Sequence, residues 1–241
     1  MVEFPNFSIE SECIKQGYKF VAGTDEVGYG ALCGNVFSCC AVILNINDIP
    51  KNIKESKGFK GKYGRINREK IYEELIKNKS VLYGIGEGSV EEIDKYNVKY
   101  ATKLSMERAY NDLVKKYNVK PKLILVDGNL VKKYDIGKNL NVETKYIIKG
   151  DEKSITIAIA SIIAKVSRDR VLKEMDMEYP MYDWKNNCGY AGGKEKTHIE
   201  AIKKYGHCKY HRGKTTGKSA YKNRQQLLFA LLFCCLFFTF C

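Results

Sequence analysis

The nine cysteines of this sequence include no C-x-x-C pair, the N-terminus has no apolar core, and no apolar run is long enough to cross a bilayer. Each absence excludes a class. The spacing His207-x3-His211 suits zinc, and Cys188, His198 and Cys208 lie close by in sequence. The upstream cysteine pair that completes such a site is missing, which argues against one. The opening MVEFPNFSIESE carries acids and lacks the apolar h-region of a signal peptide. With an odd cysteine count, this points to free thiols in a reducing, cytoplasmic compartment. Residues 227–241, LLFALLFCCLFFTFC, carry no charge but fall short of the ~20 residues a transmembrane helix needs. They suit a membrane-associating tail, a helix docking on a partner, or a segment not normally structured. There is no internal repeat and no low-complexity linker before that tail.

Acidic residues are also scarce. The 28 Asp and Glu face 41 Lys and Arg, a net charge of +13. Such an excess serves solubility or a polyanionic partner, of which nucleic acid is the commonest. The distribution favours the partner. Residues 185–224 hold eleven Lys and Arg against Glu195 and Glu200, together with all three histidines and several tyrosines. Basic side chains interleaved with aromatics suit phosphates and sugars.

What is present reads as alternating strands and helices in an α/β domain of ordinary size. Residues 18–27 and 35–46 read as strands, with Gly28, Gly30 and Gly34 marking the turn between them. Residues 49–65 are polar and read as a loop, and 66–79 have helical apolar spacing. Residues 80–88 alternate as a strand. Ser89 and Glu92 form a capping-box pattern. A helix follows over about 97–116, with Tyr100, Leu104, Ala109, Tyr110, Leu113 and Val114 as core candidates. Residues 122–126 and 143–148 read as strands. The helix over 155–175 is apolar on nearly all sides in its first half, which predicts deep burial.

Against this background the acids at strand ends stand out. Asp25-Glu26 ends an apolar stretch, Asp127-Gly128 lies just past another, and Asp151 opens the buried helix. Singly, each has an ordinary structural reading: neighbouring strand residues face opposite ways, Asp-Gly is a turn signal, and an acid suits a helix N-terminus. Together, carboxylates at a sheet edge form a hard-oxygen site suited to Mg²⁺. Two such ions activate a water and stabilise a leaving oxygen in phosphodiester hydrolysis. The glycines at 28, 30 and 34 do not make a dinucleotide loop, because a strand follows them where a helix is required.

The run Gly23-Thr-Asp25-Glu26-Val-Gly28-Tyr-Gly30 resembles the first motif of the type 2 ribonucleases H, ribonuclease HII. Further stretches match in the family's order across about residues 17–213. They include Ser56-Lys57, Ser89-Val-Glu-Glu-Ile-Asp94, Leu125-Val-Asp127-Gly-Asn129 and Lys149-Gly-Asp151 with Lys153-Ser154. Ala160-Ser-Ile-Ile-Ala-Lys-Val-Ser-Arg-Asp169, Gly189-Tyr190, Thr197-His198 and Tyr210-His211-Arg212 complete the set. The resemblance implies a ribonuclease H-like fold, a mixed central sheet flanked by helices, over residues 1–183. A basic helical C-terminal extension over 184–224 and the apolar tail, 225–241, would follow.

The resemblance also implies Mg²⁺- or Mn²⁺-dependent cleavage of the RNA strand of RNA–DNA hybrids, or at ribonucleotides embedded in duplex DNA, by a monomer serving replication and repair. Asp25, Glu26, Asp127 and Asp151 would be the metal-binding and catalytic acids. Gly28, Tyr29 and Gly30 would lie against the ribonucleotide, and Tyr190 would stack on a neighbouring sugar. Ser56, Lys57, Lys153 and Ser154 would bind substrate. Backbone groups suit the loop's task, because the 2′-hydroxyl distinguishes RNA from DNA.

The chain departs from the family pattern at Tyr29, where arginine is usual, and at Ala31, Asn35 and Cys188. Its stretch from Tyr190 to His198 is longer. Gln225-x-x-Leu228-x-x-Leu231-Leu232 is a poor copy of a sliding-clamp motif, without its aromatic pair. The competing readings are a hybrid-binding protein without catalysis and a structure-specific DNA nuclease on the same fold.

Overall fold

The computed structural model describes residues 5–51, 53, 61–191 and 197–213. It comprises two compact units, Gly30–Gly34 and the chain from Leu172 onward forming the second.

The first unit is built on a five-stranded mixed sheet of order β3-β2-β1-β4-β5. Its strands are β1 (Val21–Val27), β2 (Val36–Ile43), β3 (Val81–Gly88), β4 (Leu123–Asp127) and β5 (Glu143–Ile147). β1 to β3 form an antiparallel meander, whereas β4 and β5 run parallel to β1. All eight residues of β2 are buried, as expected of a strand covered on both faces. On one face, α2 (Gly61–Lys77) and the first part of α7 (Ile155–Glu178) pack Leu75, Ile159, Ile162 and Ile163 against Cys39 and Ala41. On the other, α4 (Val98–Tyr117) packs Met106, Ala109, Tyr110 and Leu113 against Ala22, Cys40 and Val42.

The capping box forms as predicted: Ser89 opens α3 (Val90–Tyr96), its Oγ accepting from the Glu92 N–H at 3.2 Å while Glu92 accepts from the Ser89 N–H at 2.9 Å. Two expectations change. α2 starts at Gly61, inside the stretch read as loop. On α4, Tyr100, Leu104 and Val114 are only partly buried, while Thr102, Ser105 and the Lys103–Glu107 ion pair are buried. The reason lies in β3. A Cβ on Gly84 would sit 2.2 Å from the Ala109 carbonyl oxygen, and one on Gly86 would sit 2.1 Å from that of Ser105. Helix and strand touch backbone to backbone, so small and polar residues face the sheet where large apolar ones were expected.

One helix had no forecast, because its sequence SIESECIK lacks apolar periodicity. This is α1 (Ser8–Lys15). It buries Glu10 completely, and Glu10 Oε1 accepts from Ser154 Oγ at 2.5 Å and from the Thr156 N–H at 3.1 Å. Glu10 thereby satisfies a backbone donor of α7's first turn, which has no intrahelical acceptor.

α5 (Ile136–Leu140) precedes β5, and α6 (Gly150–Lys153) joins β5 to α7. The second unit contains α8 (Trp184–Asn187) and α9 (Thr197–Tyr205) around a buried aromatic cluster. Trp184 stacks on Tyr182 at 5.0 Å between ring centroids. Trp184 Nε1 donates to His198 Nε2 at 2.9 Å, and His198 Nδ1 lies 2.9 Å from the Tyr190 carbonyl oxygen. Arg212, buried, donates to the carbonyls of Ala31 and Gly34, both at 2.9 Å.

No helix among the described residues is long and apolar enough to cross a membrane. The sliding-clamp-like sequence and the apolar tail lie outside the described residues. The six described cysteines are free thiols, and burial pushes Cys40 up to about 12.

Candidate metal centre

Parallel pairing of β1 with β4 matches Thr24 to Val126. One residue further along, Asp25 and Asp127 stand side by side, and paired residues share a face. That face is α7's, because a Cβ on Gly23 would meet the Ile157 backbone N at 2.6 Å. Asp151 joins them from α6. Asp25, Asp127 and Asp151 each place a carboxylate oxygen within 4.8 Å of the others, and among the described residues this is the one such convergence of His, Cys, Asp or Glu. The cysteine and histidine set considered for zinc does not converge in this way.

The surroundings hold the acids in place. Asp127 Oδ1 accepts from the Gly150 N–H at 2.6 Å. A Cβ on Gly150 would sit 3.1 Å from that oxygen and 2.6 Å from Ile157 Cδ1, so the approach depends on glycine. Asp25 Oδ1 accepts from the Glu26 N–H at 2.7 Å. Asp25 and Asp151 are 4% and 2% exposed. Burial above all, then the charges of Glu26 and Asp127, pushes the Asp25 carboxyl well above the usual range, while a hydrogen bond with Ser161 opposes this. A buried carboxylate cluster that destabilises its own charge is matched to a cation. The donors are hard oxygens, and trans ligands of a Mg²⁺-sized ion lie about 4.2 Å apart. The residues therefore fit a divalent ion.

Glu26 sits beside this trio, half-buried at the end of β1, and is not one of the three converging acids. Gly28 follows β1 with φ +89°, a left-handed value that glycine tolerates. Tyr29 is half-buried, and Gly30 is exposed. In the second unit, a Cβ on Gly30 would lie 3.9 Å from the ring of Tyr190, so that loop residue and the predicted sugar-stacking ring are neighbours. Lys153 is exposed. Ser154 is fully buried; its hydroxyl donates to Glu10 and accepts from the Ile157 N–H at 3.2 Å. That is a helix-capping role. Ser56 and Lys57 lie outside the described residues. Ser161 and Gly150 carried no assignment; the signals were a serine in the middle of the apolar run ITIAIASIIA and a glycine directly before Asp151.

Comparison with known proteins agrees with this geometry. Residues 22–223 match the family model described as Ribonuclease HII. Ribonuclease HII of Caldicellulosiruptor bescii is 40% identical over 206 residues, covering 86% of this chain and 91% of that protein. The Pelagibacter ubique ribonuclease HII is 44% identical, covering 80% and 94%. The crystal structure of ribonuclease H2 from Pyrococcus horikoshii superposes with a TM-score of 0.65 at 25% identity, covering 85% of this chain and 99% of that one. The chain belongs to the ribonuclease HII family, the metal-dependent endonucleases that cut the RNA strand of RNA–DNA hybrids.

Proposed function

We propose that Asp25, Asp127 and Asp151, assisted by Glu26, hold Mg²⁺ or Mn²⁺ and that this centre cuts hybrids and ribonucleotides embedded in duplex DNA. The observation that carries the reading is the buried convergence of three carboxylates within 4.8 Å in a chain of net charge +13. Such a cluster only repels nucleic acid unless cations stand between them. The bound ions would lower the pKa of the attacking water and neutralise charge on the leaving oxygen.

The protein's own part is orientation. The Gly150 N–H fixes the rotamer of Asp127, and Ser161 holds Asp25. Gly28, Tyr29 and Gly30 offer backbone groups to the 2′-hydroxyl, and Tyr190 offers a ring to the adjoining sugar. Tyr29 supplies no positive charge where the family usually has arginine. Weaker handling of a single embedded ribonucleotide than of a long hybrid is the expected consequence. The task in the cell is then removal of RNA primers and misincorporated ribonucleotides.

The test is cleavage, in Mg²⁺ or Mn²⁺, of matched duplexes carrying no, one or many ribonucleotides, with cut sites mapped. Cutting should require a ribonucleotide, and Asp151→Asn should slow it by about two orders of magnitude or more while binding persists. Cutting of the all-DNA duplex, or an Asp151→Asn variant at the parental rate, would overturn the reading.

A further inference from the structure

The helix α7 touches two parts of the proposed site through one face. Ser161 hydrogen-bonds Asp25. Arg168 follows seven residues later, two helical turns and about 10.5 Å along the axis. It is 1% exposed, although arginine is among the residues least often buried. Its Nε donates to the carbonyl oxygen of Asn35 at 3.1 Å. The same Nε, with Cζ and Cδ, packs under Gly28, where a Cβ would come within 2.3, 2.8 and 2.9 Å of the three atoms. Gly28 and Asn35 are the two ends of the segment that contains Tyr29 and Gly30.

Asn35 is itself fixed. Its side chain accepts from the Val90 N–H at 3.1 Å and donates to Glu87 at 2.7 Å. Arg168 therefore holds the outgoing end of the segment by a hydrogen bond to an anchored residue and the incoming end by direct packing. The packing needs glycine at 28, and so does the φ of +89° there.

We propose that Arg168 is a positioning residue. Through it, α7 keeps Gly28, where the ribonucleotide-reading residues begin, at a fixed distance from the carboxylate that Ser161 holds. The inference rests on the proposed assignment of Gly28, Tyr29 and Gly30 to the 2′-hydroxyl. A planar guanidinium can pack flat beneath a backbone and donate sideways at once. A lysine ammonium on a flexible stem does neither in the same geometry. A loop displaced by an ångström loses reactive alignment far more than it loses binding.

The experiment compares the parent with Arg168→Lys and Arg168→Ala on a duplex with one embedded ribonucleotide, at a temperature where all are folded by circular dichroism. We expect kcat to fall about tenfold or more with a small change in KM, and the cut position to spread. The Mg²⁺-induced rise in melting temperature should stay at the parental size, because the acids are untouched. Gly28→Ala should cost less in the Arg168→Ala background than in the parent, because the clashing atoms are gone. A lower melting temperature with parental kcat and a parental cut position in both variants would make Arg168 merely structural and overturn the proposal. Failure of the parent to cut any ribonucleotide duplex would instead overturn the functional reading beneath it.

Discussion

Replacing Asp25 by Asn should stabilise the protein without metal and destroy its response to metal. Asp25 is 4% exposed and shares a 4.8 Å cluster with Asp127 and Asp151. Two unit charges at that 4.8 Å separation repel by about 3.5 kcal/mol at an effective dielectric near 20. Burial above all, and then its acidic neighbours, raise the pKa of Asp25, so the folded chain holds that proton to higher pH than the unfolded chain does. For an acid with a raised folded pKa, the stabilising contribution is present below the unfolded value near 3.9 and is lost as pH rises through the folded value. At neutral pH the parent in EDTA therefore carries strain that Asn removes. Relaxation of the cluster and its surroundings offsets part of that repulsion, so the net gain should be about 1–2 kcal/mol, or about 2–8 °C in a chain of this size.

Divalent ion acts in the opposite sense on the two proteins. At a concentration about 100-fold above Kd it should stabilise the parent by about 2.7 kcal/mol, a rise of about 5–10 °C. The Asn variant should show little of this and should be inactive. Melting by circular dichroism in EDTA and in Mg²⁺, for parent and variant, decides it. A variant that melts below the parent in EDTA, or that gains as much from Mg²⁺, would refute the account of the cluster as a strained cation site.

Two further outcomes follow from the packing. Gly86→Ala places a methyl 2.1 Å from the Ser105 carbonyl oxygen and 2.4 Å from the Ala109 amide nitrogen, with no flexible atom to yield. It should cost about 3 kcal/mol, read as a lower urea midpoint, whereas Gly17→Ala, with nothing within 4 Å but φ +101°, should cost only about 1–2 kcal/mol. Burial lowers the pKa of His198, so the unfolded chain binds the extra proton and stability falls as pH drops below about 6.5 toward the depressed folded value. His198→Asn should flatten the loss of urea midpoint between pH 7.5 and 5.5; an equal loss in both proteins would exclude His198 as its source.

Much of the architecture was legible because its signals are local. The capping box at Ser89 and the apolar run of β4 needed nothing from elsewhere in the chain. The acids were legible as a set, because Asp25, Asp127 and Asp151 all stand where a strand ends or a helix begins. What stayed hidden depends on partners distant in sequence. Ser154 reads as a free hydroxyl until Glu10, 144 residues away, accepts its hydrogen bond. The face of α4 reads from periodicity as Tyr100 and Leu104, and only the bare backbone of Gly84 and Gly86 explains why Ser105 turns inward. Arg168 looks like a surface charge until Gly28 is found above it.

The sheet's one seam between local and distant pairing has a consequence for biosynthesis. β1 finds β2 across a short turn, but its other neighbour, β4, emerges from the ribosome about a hundred residues later. Asp25 stands on one side of that seam and Asp127 on the other. Pairing at such separation is slow, because a long loop must close before any contact rewards it. A chain interrupted before β4 has Asp25 but neither Asp127 nor Asp151, so the three-acid cluster cannot assemble until that strand and the short helix after β5 have been made.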